Sequence, residues 1–116
     1  MKILNRAKSI YSDEYFISED IKFDLGLMYL RVNNQWRECE ELTRSINLDD
    51  MTDRQGNKIF ASLSEDGKGG DVLTDGEYKF VLSFDGRKYR INGTNINEEV
   101  NDYENWEDFK TIGIQE

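Results

Sequence analysis

The sequence predicts a single α+β domain over residues 1–116: a twisted, mostly antiparallel sheet of five or six strands that can curl toward a barrel, with an N-terminal helix and an acidic C-terminal helix. Three observations predict it. Residues 75–93 alternate apolar and polar side chains on either side of Asp85-Gly86, the pattern of a β-hairpin closed by a two-residue type I′ turn. Ile3, Leu4, Ala7, Ile10 and Tyr11 fall at helical spacing near the start, and Val100, Tyr103, Trp106 and Phe109 recur every three residues near the end. At 116 residues the chain can bury a core without metal or disulfide staples and has no room for a second domain.

The first helix carries Lys2, Arg6 and Lys8 on a solvated side and ends at Ser12-Asp13-Glu14. Tyr15-Phe16-Ile17 is a brief apolar run. Residues 21–32 are rich in strand formers, with Gly26 read as a bulge, and Asn33-Asn34 turns them back into residues 35–39. Cys39 falls on the same side as Met28 and reads as a small core residue. Residues 40–48 fit a helix or a strand equally. Residues 49–57 form turns, 58–63 a further strand, and 64–71, with three glycines and three acids in eight residues, a mobile surface loop.

In the central hairpin, pairing outward from the turn sets Phe84 opposite Arg87, Leu82 opposite Tyr89 and Phe80 opposite Ile91. The other face, with Lys79, Val81, Ser83, Lys88, Arg90 and Asn92, reads as wet or partner-facing. Asn95 or Asn97 caps the second helix over residues 98–109, whose first-turn acids suit the helix dipole. Its Val100, Tyr103 and Phe109 are expected to lie on Phe80, Leu82 and Tyr89, and residues 111–114 to close the sheet as a strand.

Composition excludes more chemistry than it supplies. The absence of histidine removes Ser-His-Asp and Cys-His mechanisms and nearly every transition-metal site. One cysteine excludes an internal disulfide. A phosphate loop is rejected because Lys68 precedes Gly69 rather than Ser or Thr, and Glu65, Asp66 and Asp71 miss the calcium-loop grid. No carboxylate pair stands out, so the expectation is no enzyme, no cofactor and no metal. The start lacks a signal-type apolar run and no span could cross a membrane, which points to the cytoplasm.

Formal net charge is −9, unevenly spread: residues 1–11 carry three basic and no acidic side chains, while acids crowd residues 12–24, 49–75 and the tail from 94. Such a surface repels nucleic acid and attracts basic proteins. The expected partner-binding residues are Glu98, Glu99, Asp102, Glu104, Trp106, Glu107 and Asp108, with Glu65, Asp66 and Asp71 as a second cluster. Closely spaced carboxylates resemble a phosphate backbone, and Tyr103 and Trp106 serve either as aromatic anchors or as core.

The run Thr52-Asp53-Arg54-Gln55-Gly56-Asn57-Lys58-Ile59-Phe60 and the close Phe109-Lys110-Thr111-Ile112-Gly113-Ile114-Gln115-Glu116 resemble segments of YopX-like phage proteins. That resemblance implies a phage or prophage origin and a small barrel-like β fold, with no catalytic site. In size and charge the chain also resembles small phage-encoded inhibitors such as anti-CRISPR proteins. The expected function is stoichiometric inhibition of a host defence nuclease through its basic, nucleic-acid-binding surface, as a monomer or small homo-oligomer. The alternatives are an immunity protein that neutralises a cognate toxin and a phage structural or adaptor module.

Overall fold

Strands account for 53% of the described residues and helical turns for 4%, so the chain is mostly β rather than α+β. The structure is a computed structural model that describes residues 2–87, 89–93, 97–100 and 108–116. In chain order the strands are β1 (Ile3–Lys8), β2 (Tyr15–Ser18), β3 (Ile21–Asp24), β4 (Leu27–Val32), β5 (Gln35–Cys39), β6 (Ser45–Leu48), β7 (Ala61–Ser62), β8 (Asp71–Thr74), β9 (Lys79–Phe84), β10 (Tyr89–Gly93), β11 (Asn97–Val100) and β12 (Lys110–Ile114). A 3-10 turn spans Glu41–Thr43. Nine strands form one sheet in the order β11-β10-β9-β7-β6-β1-β2, with β8 paired to β9 and β12. This sheet curls into a half-barrel. Strands β3-β4-β5 form a separate antiparallel meander.

Both expected helices are corrected. Residues 3–8 are an inner strand, paired with β2 on one side and β6 on the other. A strand covered on both faces loses its polar alternation, and here Asn5, Arg6 and Ala7 are all buried in succession. Without that alternation the apolar spacing matched a helix by coincidence, and sheet hydrogen bonding overrode it. At the other end, residues 97–100 are β11, antiparallel to β10 with Tyr89 opposite Val100 and Ile91 opposite Glu98. The remainder of the expected helix, through 107, lies outside the described residues. Phe109 does reach the hairpin: its ring meets Phe80 edge-on at 5.6 Å.

The central hairpin forms with its faces as expected and its register moved by two. Phe84 pairs with Tyr89, Leu82 with Ile91 and Phe80 with Gly93. Asp85 does not adopt positive φ, although Gly86 does at 98°, so no type I′ turn closes at Asp85-Gly86. Instead the Asp85 carboxylate accepts the Arg87 N–H at 2.8 Å and stabilises a longer loop. A shift of two keeps Phe80, Leu82 and Ile91 inward, because side chains alternate with period two. The face expected to be wet is half covered, with Ser83 buried.

The meander follows local rules closely. Asn33 and Asn34 have φ of 52° and 63° and join β4 to β5 through the pair Val32 with Gln35, a two-residue turn of the primed kind. Leu25 and Gly26, at 51° and 78°, do the same between Asp24 and Leu27. Gly26 is therefore a turn rather than a bulge. Met28 and Cys39 are direct cross-strand partners and both are buried.

Two apolar clusters result. Ile59, Ala61, Leu73, Phe80, Leu82, Ile91 and Phe109 fill the half-barrel, with Met51, Phe84 and Tyr89 around them. Ala7, Met28, Leu30 and Cys39, flanked by Phe16 and Ile21, hold the meander against β1.

Candidate functional site

The glycine-rich stretch 64–71 is packed into the sheet rather than free. A Cβ on Gly69 would strike the Thr43 carbonyl, and one on Gly70 would lie 2.5 Å from the Leu82 oxygen. On Gly67 it would lie 2.5 Å from Val81 Cγ1. Gly69 and Gly70 let backbone pass against backbone, which no larger residue permits at such distances, and Gly67 lets it pass against the Val81 side chain. Hydrogen bonds fix the stretch at several points. Gly69 N–H donates to Gln115 O at 2.7 Å, Gln115 N–H donates to Gly70 O at 2.8 Å, and Ser62 Oγ donates to Lys68 O at 2.7 Å.

Glu65 and Asp66 stand exposed on the outside of this anchored stretch. Asp66 Oδ1 accepts the Lys68 N–H at 3.0 Å, setting a tight local turn. Between the stretch and the tip of the β9–β10 hairpin runs a cleft of about 130 Å³, lined by Leu63, Ser64, Glu65, Phe84, Asp85 and Arg90. Two carboxylates, Glu65 and Asp85, thus share one edge of the half-barrel with Arg90 and two apolar side chains, Leu63 and Phe84.

Asp71 does not belong to that surface. It is buried, and its Oδ1 accepts Arg6 Nη2 at 2.7 Å while its Oδ2 accepts the Phe60 N–H at 2.8 Å. The Arg6 guanidinium also donates to Gly69 O at 2.9 Å and lies 4.4 Å over the Phe60 ring. Asp71 opens β8, and two residues on Leu73 is fully buried; strand alternation puts both on the inner face. That signal was present in the sequence. Of the tail acids, Asp108 is exposed, and Glu98 and Glu99 sit on β11 at the sheet's edge, opposite Ile91 and Arg90 in register. Asp102, Glu104, Trp106 and Glu107 lie outside the described residues; among the expected side chains that are described, Glu65 and Asp66 are the exposed acids that fall together.

No family model matches the chain, and neither a curated protein nor a solved structure does. Its chemistry is therefore read from its own residues.

The buried ionisable groups of the described residues serve the fold. Burial pushes the Cys39 thiol up to about 11, leaving little thiolate at neutral pH. Burial also raises the Asp71 carboxyl, against the opposing pull of Arg6. Burial would likewise raise Asp53, but N–H donors from Thr111, Asn57 and Gln55 outweigh it and hold the carboxyl low. Among the described residues no three Cys, Asp or Glu side chains converge as metal ligands, and no helix is long and apolar enough to cross a membrane. Sequence reasoning missed Leu63, Phe84 and Asp85 as neighbours of the acids, since the packing of 64–70 alongside the hairpin tip is a tertiary fact.

Proposed function

We propose that the protein is a stoichiometric binding module that engages a basic protein surface through the anchored acidic edge of its half-barrel. The observation that carries this reading is the steric fit of Gly67, Gly69 and Gly70 beneath Glu65 and Asp66. A rigid display of charge avoids the ordering cost a free loop would incur on binding. The buried carboxylates and thiol, each held by structural bonds or desolvated, favour binding over catalysis. The net charge of −9 favours a partner that itself binds nucleic acid, whose basic groove these carboxylates would occupy. Inhibition of a phage-targeting nuclease in the host cytoplasm fits this chemistry and the YopX-like segments at 52–60 and 109–116.

The test begins with capture of partners from a bacterial lysate on the immobilised chain, followed by competition with duplex DNA. Captured nucleic-acid-binding proteins should be displaced by DNA, and binding should weaken steeply with salt, since exposed charges are screened over ~8 Å at physiological ionic strength. Reversing charge in Glu65→Lys with Asp66→Lys should cut affinity at least about tenfold. Salt-independent binding, or unchanged affinity in the reversed variant, sinks the reading.

A further inference from the structure

We infer that the outer edge of β5 is a second binding site, which takes an extended peptide segment carrying a basic side chain. Because Val32 and Gln35 close a two-residue turn, Gln35, Arg37 and Cys39 direct their backbone groups to β4 and those of Trp36 and Glu38 point to the opposite edge. At the end of β5, β1 runs on beside it: Ser9 bridges Cys39, Ile10 N–H donates to Glu38 O at 3.4 Å, and Glu40 N–H donates to Lys8 O at 2.8 Å. Then the two chains part. Ser9 N–H turns back to Glu14 O at 2.8 Å and Tyr11 N–H to Ser9 Oγ at 3.0 Å. The backbone N–H and C=O of Trp36 and the N–H of Glu38 are left without a partner among the described residues.

A groove of about 520 Å³ opens where the strands diverge, bordered by Tyr11, Glu14, Tyr29, Trp36, Arg37 and Glu38. Unpaired edge groups beside a groove fit an added strand: its main chain continues the ladder and alternate side chains enter the groove. The groove's chemistry selects the side chain. Tyr11 is 84% exposed and Trp36 39%, and in the groove's lining two carboxylates, Glu14 and Glu38, outnumber the one cation, Arg37. Aromatic faces attract cations; Trp36 already does so within the chain, with Lys22 Nζ 4.7 Å and Arg31 6.0 Å from its ring. A lysine or arginine on the incoming strand would meet the exposed Tyr11 ring and both carboxylates. The site is separate from Glu65 and Asp66 and stands or falls apart from them.

The probes are capped heptapeptides of sequence Thr-Val-Thr-Xaa-Thr-Val-Thr, with Xaa either Arg or Glu, and the Arg peptide N-methylated at alternate amides. Titrated into the isotope-labelled full chain, the Arg peptide should shift the amide signals of Trp36, Arg37 and Glu38 and slow hydrogen exchange at Trp36 and Glu38. The Glu peptide and the N-methylated peptide should each bind at least about tenfold more weakly. Glu14→Lys with Glu38→Lys should reverse the preference toward the Glu peptide, whereas Glu65→Lys with Asp66→Lys should leave it unchanged. Three results overturn the inference: no response at these amides, equal affinity for the Arg and Glu peptides, or a dimer that protects the same amides before any peptide is added.

Discussion

In the β3–β5 meander each strand pairs with its neighbour in sequence, through two turns of two residues each. Around Asp71, by contrast, residues 6, 60 and 69 meet one carboxylate and its flanking backbone, and residues 43 and 115 close against Gly69. The meander is held by local turn chemistry and a small apolar cluster on β1. The junction is held by a buried ion pair, glycines without room for a side chain, and hydrogen bonds spanning as many as 65 residues. Glycine itself has different meanings in the two regions. Gly26 has positive φ and nothing near its missing Cβ, so it serves conformation; Gly69 has positive φ and no free volume, so it serves both conformation and packing. Glycine content alone therefore does not identify a mobile segment.

The largest effect should come from breaking the junction's charge pair. Asp71→Ala leaves Arg6 buried without its carboxylate, which should cost about 3–5 kcal/mol in urea unfolding. Adding Arg6→Met should recover part of that loss, since it removes the uncompensated buried charge while the Phe60 N–H remains without its acceptor. A double variant no more stable than the single one would show that the pair is not the source of the cost.

Glycine substitutions then compare the regions directly. Gly69→Ala should lose roughly 2–5 kcal/mol, combining about 1–2 for the left-handed conformation and about 1–3 for overlap with the backbone at Thr43. Gly26→Ala should lose only the conformational part, about 1–2 kcal/mol. Equal losses in thermal or urea unfolding would erase the distinction between a turn tip and a packed junction.

Within the meander, Met28→Ala should cost about 2–5 kcal/mol if its cavity stays open, and toward the lower end because the cluster around it is small. Proteolysis read alongside global unfolding should show β3–β5 loosening first in this variant. Simultaneous cleavage across both sheets would instead make the two clusters one cooperative unit.

The smallest effect is a slope. Asp53 is held low in the folded chain, whereas unfolded it titrates near the ordinary value of about 3.9. On acidification the unfolded chain takes up that proton first, so the stability Asp53 provides is present above that range and lost as pH falls through its folded value. Asp71, raised by burial, works in the opposite sense: its contribution declines as pH rises from its unfolded toward its folded value. Asp53→Asn should flatten the acid-side fall of the urea midpoint, and an unchanged slope would remove Asp53 as its cause.

The candidate site was legible in charge and illegible in place. Glu65 and Asp66 stand out in the sequence as exposed acids on a glycine-rich stretch, and the structure leaves them at the surface. Asp71 has the same charge and nearly the same neighbours, yet it lies inside, because β8 begins there and alternation turns it toward Leu73. Leu63 and Phe84 beside the acids could not be assigned without knowing that 64–70 runs past the hairpin tip.

By itself the sequence determined the things that depend on neighbours a few residues apart. These are the Asn33-Asn34 turn, the common side of Met28 and Cys39, the inward face of Phe80, Leu82 and Ile91, a closing strand over residues 111–114, and an acidic composition without histidine chemistry. Tertiary structure decided what depends on covering both faces of a chain segment. Residues 3–8 became a strand because partners on two sides satisfied their backbone groups, a sheet-wide gain that outweighs a weak local helical pattern. The hairpin register moved by two because both registers keep the same face inward, so the apolar pattern could not choose between them. The glycine-rich stretch became a fixed junction because Thr43, Leu82 and Gln115, distant in sequence, supply the surfaces and hydrogen bonds against which it packs.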